Sequence, residues 1–139
     1  MQFRAFRIRV EMVVLWGDMD ALGHVNNAIY ARWLEQARIE YFRALGAFGS
    51  GGAGPILARQ AIDFKSPVKY PDRVTLEIGV ERIGTTSLVL RSRGTSEAQG
   101  GALVFESESI VVLFDYAAGH KVAIDPALRA RIEKFQSSD

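Results

Sequence analysis

Residues 16–46 read WGDMDALGHVNNAIYARWLEQARIEYFRALG. Two unlike segments meet there. Asp18 to Asn27 is a short polar stretch with two aspartates, the first of the chain's two histidines, and Gly23. From Asn27 to about Leu45 the spacing predicts the longest helix of the chain. Asn26 or Asn27 can cap it through a side-chain amide oxygen, and Gly46 follows as a left-handed stop. Ile29, Trp33, Ala37, Tyr41 and Ala44 form an apolar stripe that Tyr30, Leu34 and Leu45 widen. Only a narrow polar face remains, so the helix is expected to be wrapped by a sheet. A polar loop that enters a helix suits carbonyl chemistry, because the first N–H groups of a helix are free and favour developing negative charge.

On either side of this stretch the pattern is that of strands. Over residues 3–15, Phe6, Ile8, Val10, Met12 and Val14 alternate with Arg7, Arg9 and Glu11, a period of two. Residues 46–55 (GAFGSGGAGP) read as a flexible connection and lack the Gly-Lys-Ser/Thr of a phosphate loop. Strands follow over 56–64, 74–80, 87–95 and 102–114, with turns at 65–67, 70–72, 83–86 and 96–101. The run Ile110–Phe114 is apolar throughout, as in a central strand covered on both faces. Asp125-Pro126 opens a short helix to about Phe135. The order strand, long helix, four strands, short helix predicts an α+β fold, with about five mostly antiparallel strands facing one helix. At 139 residues the chain reads as a single domain, 1–139.

Composition narrows the function. The formal net charge is +1, which gives no basic footprint for nucleic acid. No cysteine is present, so disulfides, thiolate catalysis and cysteine-held metals are excluded, and a reducing cytoplasm suits the chain. The alternating arginines of the N-terminal stretch do not form a signal peptide, and no apolar run is long enough to span a membrane.

Among candidate residues, Asp20 stands just ahead of the helix, where a carboxylate can meet a ligand held at the helix start. The same position suits a turn or capping aspartate, and spacing alone leaves both readings open. Asp18 is read as satisfying loop N–H groups; Asp18-x-Asp20 lacks the oxygen-rich loop of a calcium site, so no metal is expected. His24 either orients a ligand or bonds the loop. No serine, histidine and aspartate arrangement is visible. Glu35 and Glu40 read as solvated or interface carboxylates. The aromatic stripe Tyr30, Trp33, Tyr41, Phe42 reads as core more readily than as ligand pocket.

Asp18-Met19-Asp20-Ala21-Leu22-Gly23-His24-Val25-Asn26-Asn27, followed by Tyr30, Trp33, Leu34, Glu35 and Arg38, resembles the hotdog-fold acyl-CoA thioesterases of the 4-hydroxybenzoyl-CoA thioesterase class. Phe64-Lys65-Ser66-Pro67-Val68 and Tyr70-Pro71-Asp72 resemble that family's turn after its second strand. The resemblance implies one long central helix wrapped by five strands in the order 1-3-5-4-2. It implies a homodimer joined edge to edge, a homotetramer beyond that, and a site at the dimer interface. It makes Asp20 the nucleophile or general base, the Asn27 N–H the group that polarises the thioester carbonyl, and His24 a further catalytic residue. Substrate contacts are implied at Gly23 and Tyr30. The family's basic turn before its fourth strand is Ile83-Gly84-Thr85-Thr86 here, which leaves Arg82, Thr86 and Arg91 for coenzyme A. No cofactor is implied, since coenzyme A belongs to the substrate and a thioester is already activated. The alternatives are a hydrolase or dehydratase of the same fold acting on carrier-protein thioesters, and a non-catalytic acyl-CoA-binding module.

Overall fold

A computed structural model describes residues 3–48 and 52–137. Strand β1 (Ile8–Val13) leads through a 3₁₀ turn (Trp16–Asp18) to helix α1 (Asn27–Leu45). Strands β2 (Ala53–Phe64), β3 (Arg73–Ile83), β4 (Ser87–Ser96) and β5 (Ala102–Asp115) follow, then a two-residue strand β6 (His120–Lys121) and helix α2 (Pro126–Ser137). All pairings are antiparallel, in the order β1-β3-β4-β5-β2, with β6 added to the end of β5. The architecture is α+β as expected, but the order 1-3-5-4-2 is not the one formed. The turns after β3 and β4 are tight, and consecutive antiparallel strands joined by tight turns lie side by side. Strand β2 takes the far edge beside β5, and β6 is a sixth strand too short to leave a periodic signal.

Other boundaries move for local reasons. β1 is shorter than residues 3–15, because the edge of β3 beyond Ile78 is bonded by a side chain from α2. β2 begins at Ala53 rather than Ile56: Ala53 and Gly54 pair with Asp115 and Phe114, which overrides their turn-like composition. Of the glycine-rich connection, residues 49–51 lie outside the described residues. Ile110–Phe114 is central in pairing, yet its burial alternates, so one face of β5 is only half covered.

Helix α1 has the bounds the spacing predicts. The Asn26 side chain accepts from the Ala28 N–H at 2.9 Å, and Gly46 takes φ 74° with its N–H on the helix's last carbonyls. Leu34, Ala37 and Tyr41 are fully buried against β3, where Val74, Leu76, Ile78 and Val80 fill every second position. The helix is not wrapped: Glu35 and Ile39 on the opposite side are exposed. One sheet covers one face of the helix. No helix among the described residues is long and apolar enough to cross a membrane.

Helix α2 is tied in by Gln136, which is fully buried. Its Oε1 accepts from the Tyr41 hydroxyl at 3.0 Å and the Val80 N–H at 2.8 Å, and its Nε2 donates to the Ala5 carbonyl. Gln136→Leu leaves a buried hydroxyl and amide without acceptors and should lower stability by about 2–4 kcal/mol in chemical denaturation. Burial also pushes the Tyr41 phenol well above its usual range, against smaller opposing effects of the Val80 backbone and Arg7. Above pH about 10 the unfolded chain therefore binds fewer protons than the folded one, and stability falls as pH rises. The denaturation midpoint should drop beyond pH about 10, with a shallower slope in Tyr41→Phe.

Candidate active site

The polar loop is set by its own hydrogen bonds. Asp18 is buried, and its Oδ2 accepts from the Leu15 N–H at 2.8 Å, which closes the 3₁₀ turn. Met19 and Val25 form an antiparallel bridge, so residues 20–24 close into a small hairpin. Within it the Asp20 N–H donates to the His24 carbonyl and the Gly23 N–H to the Asp20 carbonyl, both at 3.0 Å. Gly23 has φ 79°, a conformation that strains any residue with a Cβ. Two further bonds hold the exit: Val25 N–H to the Val68 carbonyl at 2.8 Å, and Asn26 N–H to the Asp18 carbonyl at 2.9 Å.

Asp20 itself is exposed. Its Oδ1 accepts from the Leu22 N–H at 2.9 Å, the turn role foreseen from spacing, and its Oδ2 is left without a partner among the described residues. His24 is half-buried. The Ala28 and Ile29 N–H groups are taken by Asn26, but that of Asn27 has no acceptor among the described residues. His24, Val25, Asn27, Tyr30 and Phe64–Pro67 line a cleft of about 230 Å³ at this helix start.

The cleft's inner wall is aromatic. Tyr30 is buried edge-on against Phe64 and Phe105, at ring separations of 4.9 and 5.2 Å, and Trp33 lies 5.1 Å away. Burial raises the Tyr30 phenol pKa, and the Val68 backbone partly offsets this. Phe105 lies over Gly94 on the neighbouring strand, where a Cβ would sit 2.1 Å from the ring. The lining by Phe64–Pro67 was not anticipated. The signal was the Phe-Lys-Ser-Pro turn, whose Lys65 and Ser66 N–H groups both reach the Val104 carbonyl.

Asp20, Gly23, His24, Asn27 and Tyr30 thus share one end of the sheet. Arg82, Thr86 and Arg91 do not join them. The polar loop lies beside the start of β3, since Val14 N–H bonds the Asp72 carbonyl, whereas Arg82 and Thr86 flank the opposite end of that strand, roughly 30 Å away. Arg91 is paired with Glu81 at 2.9 Å, an interaction that raises its pKa. Among the described residues no group of three or more His, Asp or Glu side chains forms a metal site.

The family model described as "Thioesterase-like superfamily" matches residues 14–132. A Pseudomonas aeruginosa protein assigned as a thioesterase is 31% identical, with 93% of this chain and 99% of that one covered, at a TM-score of 0.81. A thioesterase from Thermus thermophilus, crystallised with coenzyme A and Zn, is 27% identical over 97% and 98% of the two chains, at a TM-score of 0.84. A Xanthomonas campestris protein assigned as an acyl-CoA thioesterase is 34% identical over 76% and 91%, at a TM-score of 0.67. No curated protein matches.

Gly94→Ala should displace the Phe105 ring and with it the wall that Tyr30 completes. A loss of about 1–3 kcal/mol in denaturation is expected, together with a changed near-ultraviolet circular dichroism of the aromatic cluster.

Proposed function

This chain belongs to the thioesterase-like superfamily, and on that footing we propose that it hydrolyses acyl-CoA thioesters to the free acid and coenzyme A. The observation that carries the reading is the unbonded Asn27 N–H at the head of α1, in one cleft with His24 and one short hairpin away from the open Oδ2 of Asp20. A carbonyl oxygen seated at that N–H gains the helix dipole as negative charge develops. The Asp20 carboxylate then either attacks the carbonyl carbon, expelling the coenzyme A thiolate and forming a mixed anhydride that water cleaves to the free acid, or takes a proton from the water that attacks the carbonyl and displaces the thiolate. His24 lines the approach and orients the ligand.

The proposal includes a second copy of the chain. Trp16 and Leu22, on either side of Asp20, are 74% and 82% exposed, which suits a loop that a neighbour covers. A homodimer, paired again into a tetramer, is the assembly we propose. In this reading Arg82 and Thr86, at the far end of β3, reach the nucleotide from a partner subunit, and Arg91 joins them there. Coenzyme A in the Thermus thermophilus structure and the acyl-CoA assignment of the Xanthomonas campestris protein support this choice of substrate. The reaction needs no cofactor, and a chain without cysteine suits the cytoplasm.

Asp20→Asn keeps the oxygen that the Leu22 N–H uses, so the loop should fold unchanged. Hydrolysis of acyl-CoA should fall by at least about 100-fold in kcat/KM, with the circular dichroism spectrum preserved. Near-full activity of this variant across short, long and aromatic acyl-CoAs would rule out the assignment.

A further inference from the structure

Arg38 is the most unusual side chain outside the cleft. It is 7% exposed, and its Nη1 donates to Gln60 Oε1 at 2.7 Å, a neutral partner for a buried cation. Glu35, three residues earlier, is exposed and forms no ion pair with it. Burial lowers the Arg38 pKa, with Glu35's charge opposing, yet a guanidinium keeps its proton in any protein setting. A cation out of water without a counter-charge is strongly unfavourable, so the fold leaves it short of an anion.

The guanidinium and its partner Gln60 keep N–H donors to spare. Gln60 Oε1 already accepts twice, from Arg38 and from the Ser109 hydroxyl at 2.9 Å. What remains there is the rest of the guanidinium and the Gln60 amide N–H₂; further along the sheet lie the Ser107 and Ser92 hydroxyls, both buried and without partners among the described residues. Ser109, Ser107 and Ser92 share the sheet face that Gln60 presents to α1, by the register of β2, β5 and β4. Such a set is complementary to an acceptor that carries charge.

The position of this set connects it to the cleft. Asn27, Ala31, Leu34 and Arg38 follow the spacing of one helix stripe, and Phe64, Ile62 and Gln60 alternate on one face of β2. Tyr30 against Phe64 closes one end of the seam between α1 and β2, and Arg38 on Gln60 closes the other. The two ends are roughly 12 Å apart along the helix axis, less the backward lean of the arginine side chain. Ala31 between them is small and exposed, and β2 is the sheet's outermost strand, so no further strand of the same chain covers the seam on that side among the described residues.

We propose that this seam is the acyl subsite, and that Arg38, with Gln60 and Ser107, takes the terminal carboxylate of an ω-carboxyacyl group, a dicarboxylic acid joined to coenzyme A at one end. The inference rests on the hydrolase reading above and names its substrate class. The test pairs acyl-CoAs of equal length with and without the terminal carboxylate: adipoyl with hexanoyl, suberoyl with octanoyl. The natural chain should favour the carboxylated member of at least one pair by roughly tenfold or more in kcat/KM, and Arg38→Met should abolish the preference. Gln60→Leu, which removes the same acceptor and donor, serves if Arg38→Met does not fold. Equal or better turnover of the plain acyl-CoAs overturns the proposal and leaves the hydrolase reading standing. So does an unchanged preference in a folded variant. That is also the result expected if a carboxylate of a second copy already neutralises Arg38. If neither member is hydrolysed, the hydrolase reading fails. The subsite is then judged by thermal shift alone, where stabilisation by free suberate over octanoate, lost in Arg38→Met, supports it and no difference overturns it.

Discussion

Two backbone hydrogen bonds fix the head of α1: Val25 to the Val68 carbonyl and Asn26 to the Asp18 carbonyl. The first ties the loop to the segment after β2; the second ties it to a buried aspartate whose own carboxylate closes the preceding turn. Between them they determine where the helix begins, which amide stays free, and how far the 20–24 hairpin projects. The sheet contributes depth. Its aromatic wall exists because Gly94 leaves room for Phe105, and Phe105 in turn supports Tyr30. Every feature proposed to act on a carbonyl is therefore a consequence of main-chain geometry first and side-chain chemistry second.

Much of this was legible in the residues. Helix α1 matched its spacing to both ends because each end carries an explicit signal, a capping asparagine and a left-handed glycine. The turn role of Asp20 was also legible, since an aspartate two residues before a free N–H is a local matter. What was not legible depends on partners distant in the chain. The early start of β2 is imposed by β5, against the composition of Ala53-Gly54-Pro55. The strand order follows from which turns are tight. Nothing in the spacing of α1 marks Arg38 for burial; its partner, Gln60, lies 22 residues on, in β2.

The two ends of the sheet hold different chemistry. One end holds the free amide, the open carboxylate and the aromatic wall; the other holds Arg82 and Thr86 at a hairpin bend. Within one chain the two ends stay roughly 30 Å apart, so no single cleft holds both. The belt of ion pairs on the outer sheet face, Arg93 with Glu77 and Arg59 with Glu108, is largely solvated and adds little to stability.

Among the described residues, the twelve of β2 have a neighbouring strand on one side only. A margin of that length is a template on which any extended polypeptide can add itself, and Ile56 and Leu57 present greasy surface along it. Three local irregularities blunt the hazard: Pro55 offers no amide hydrogen, the ladder slips between Leu57 and Arg59, and Arg59 places charge on the rim. Together they leave the rim a poor template for promiscuous strand addition.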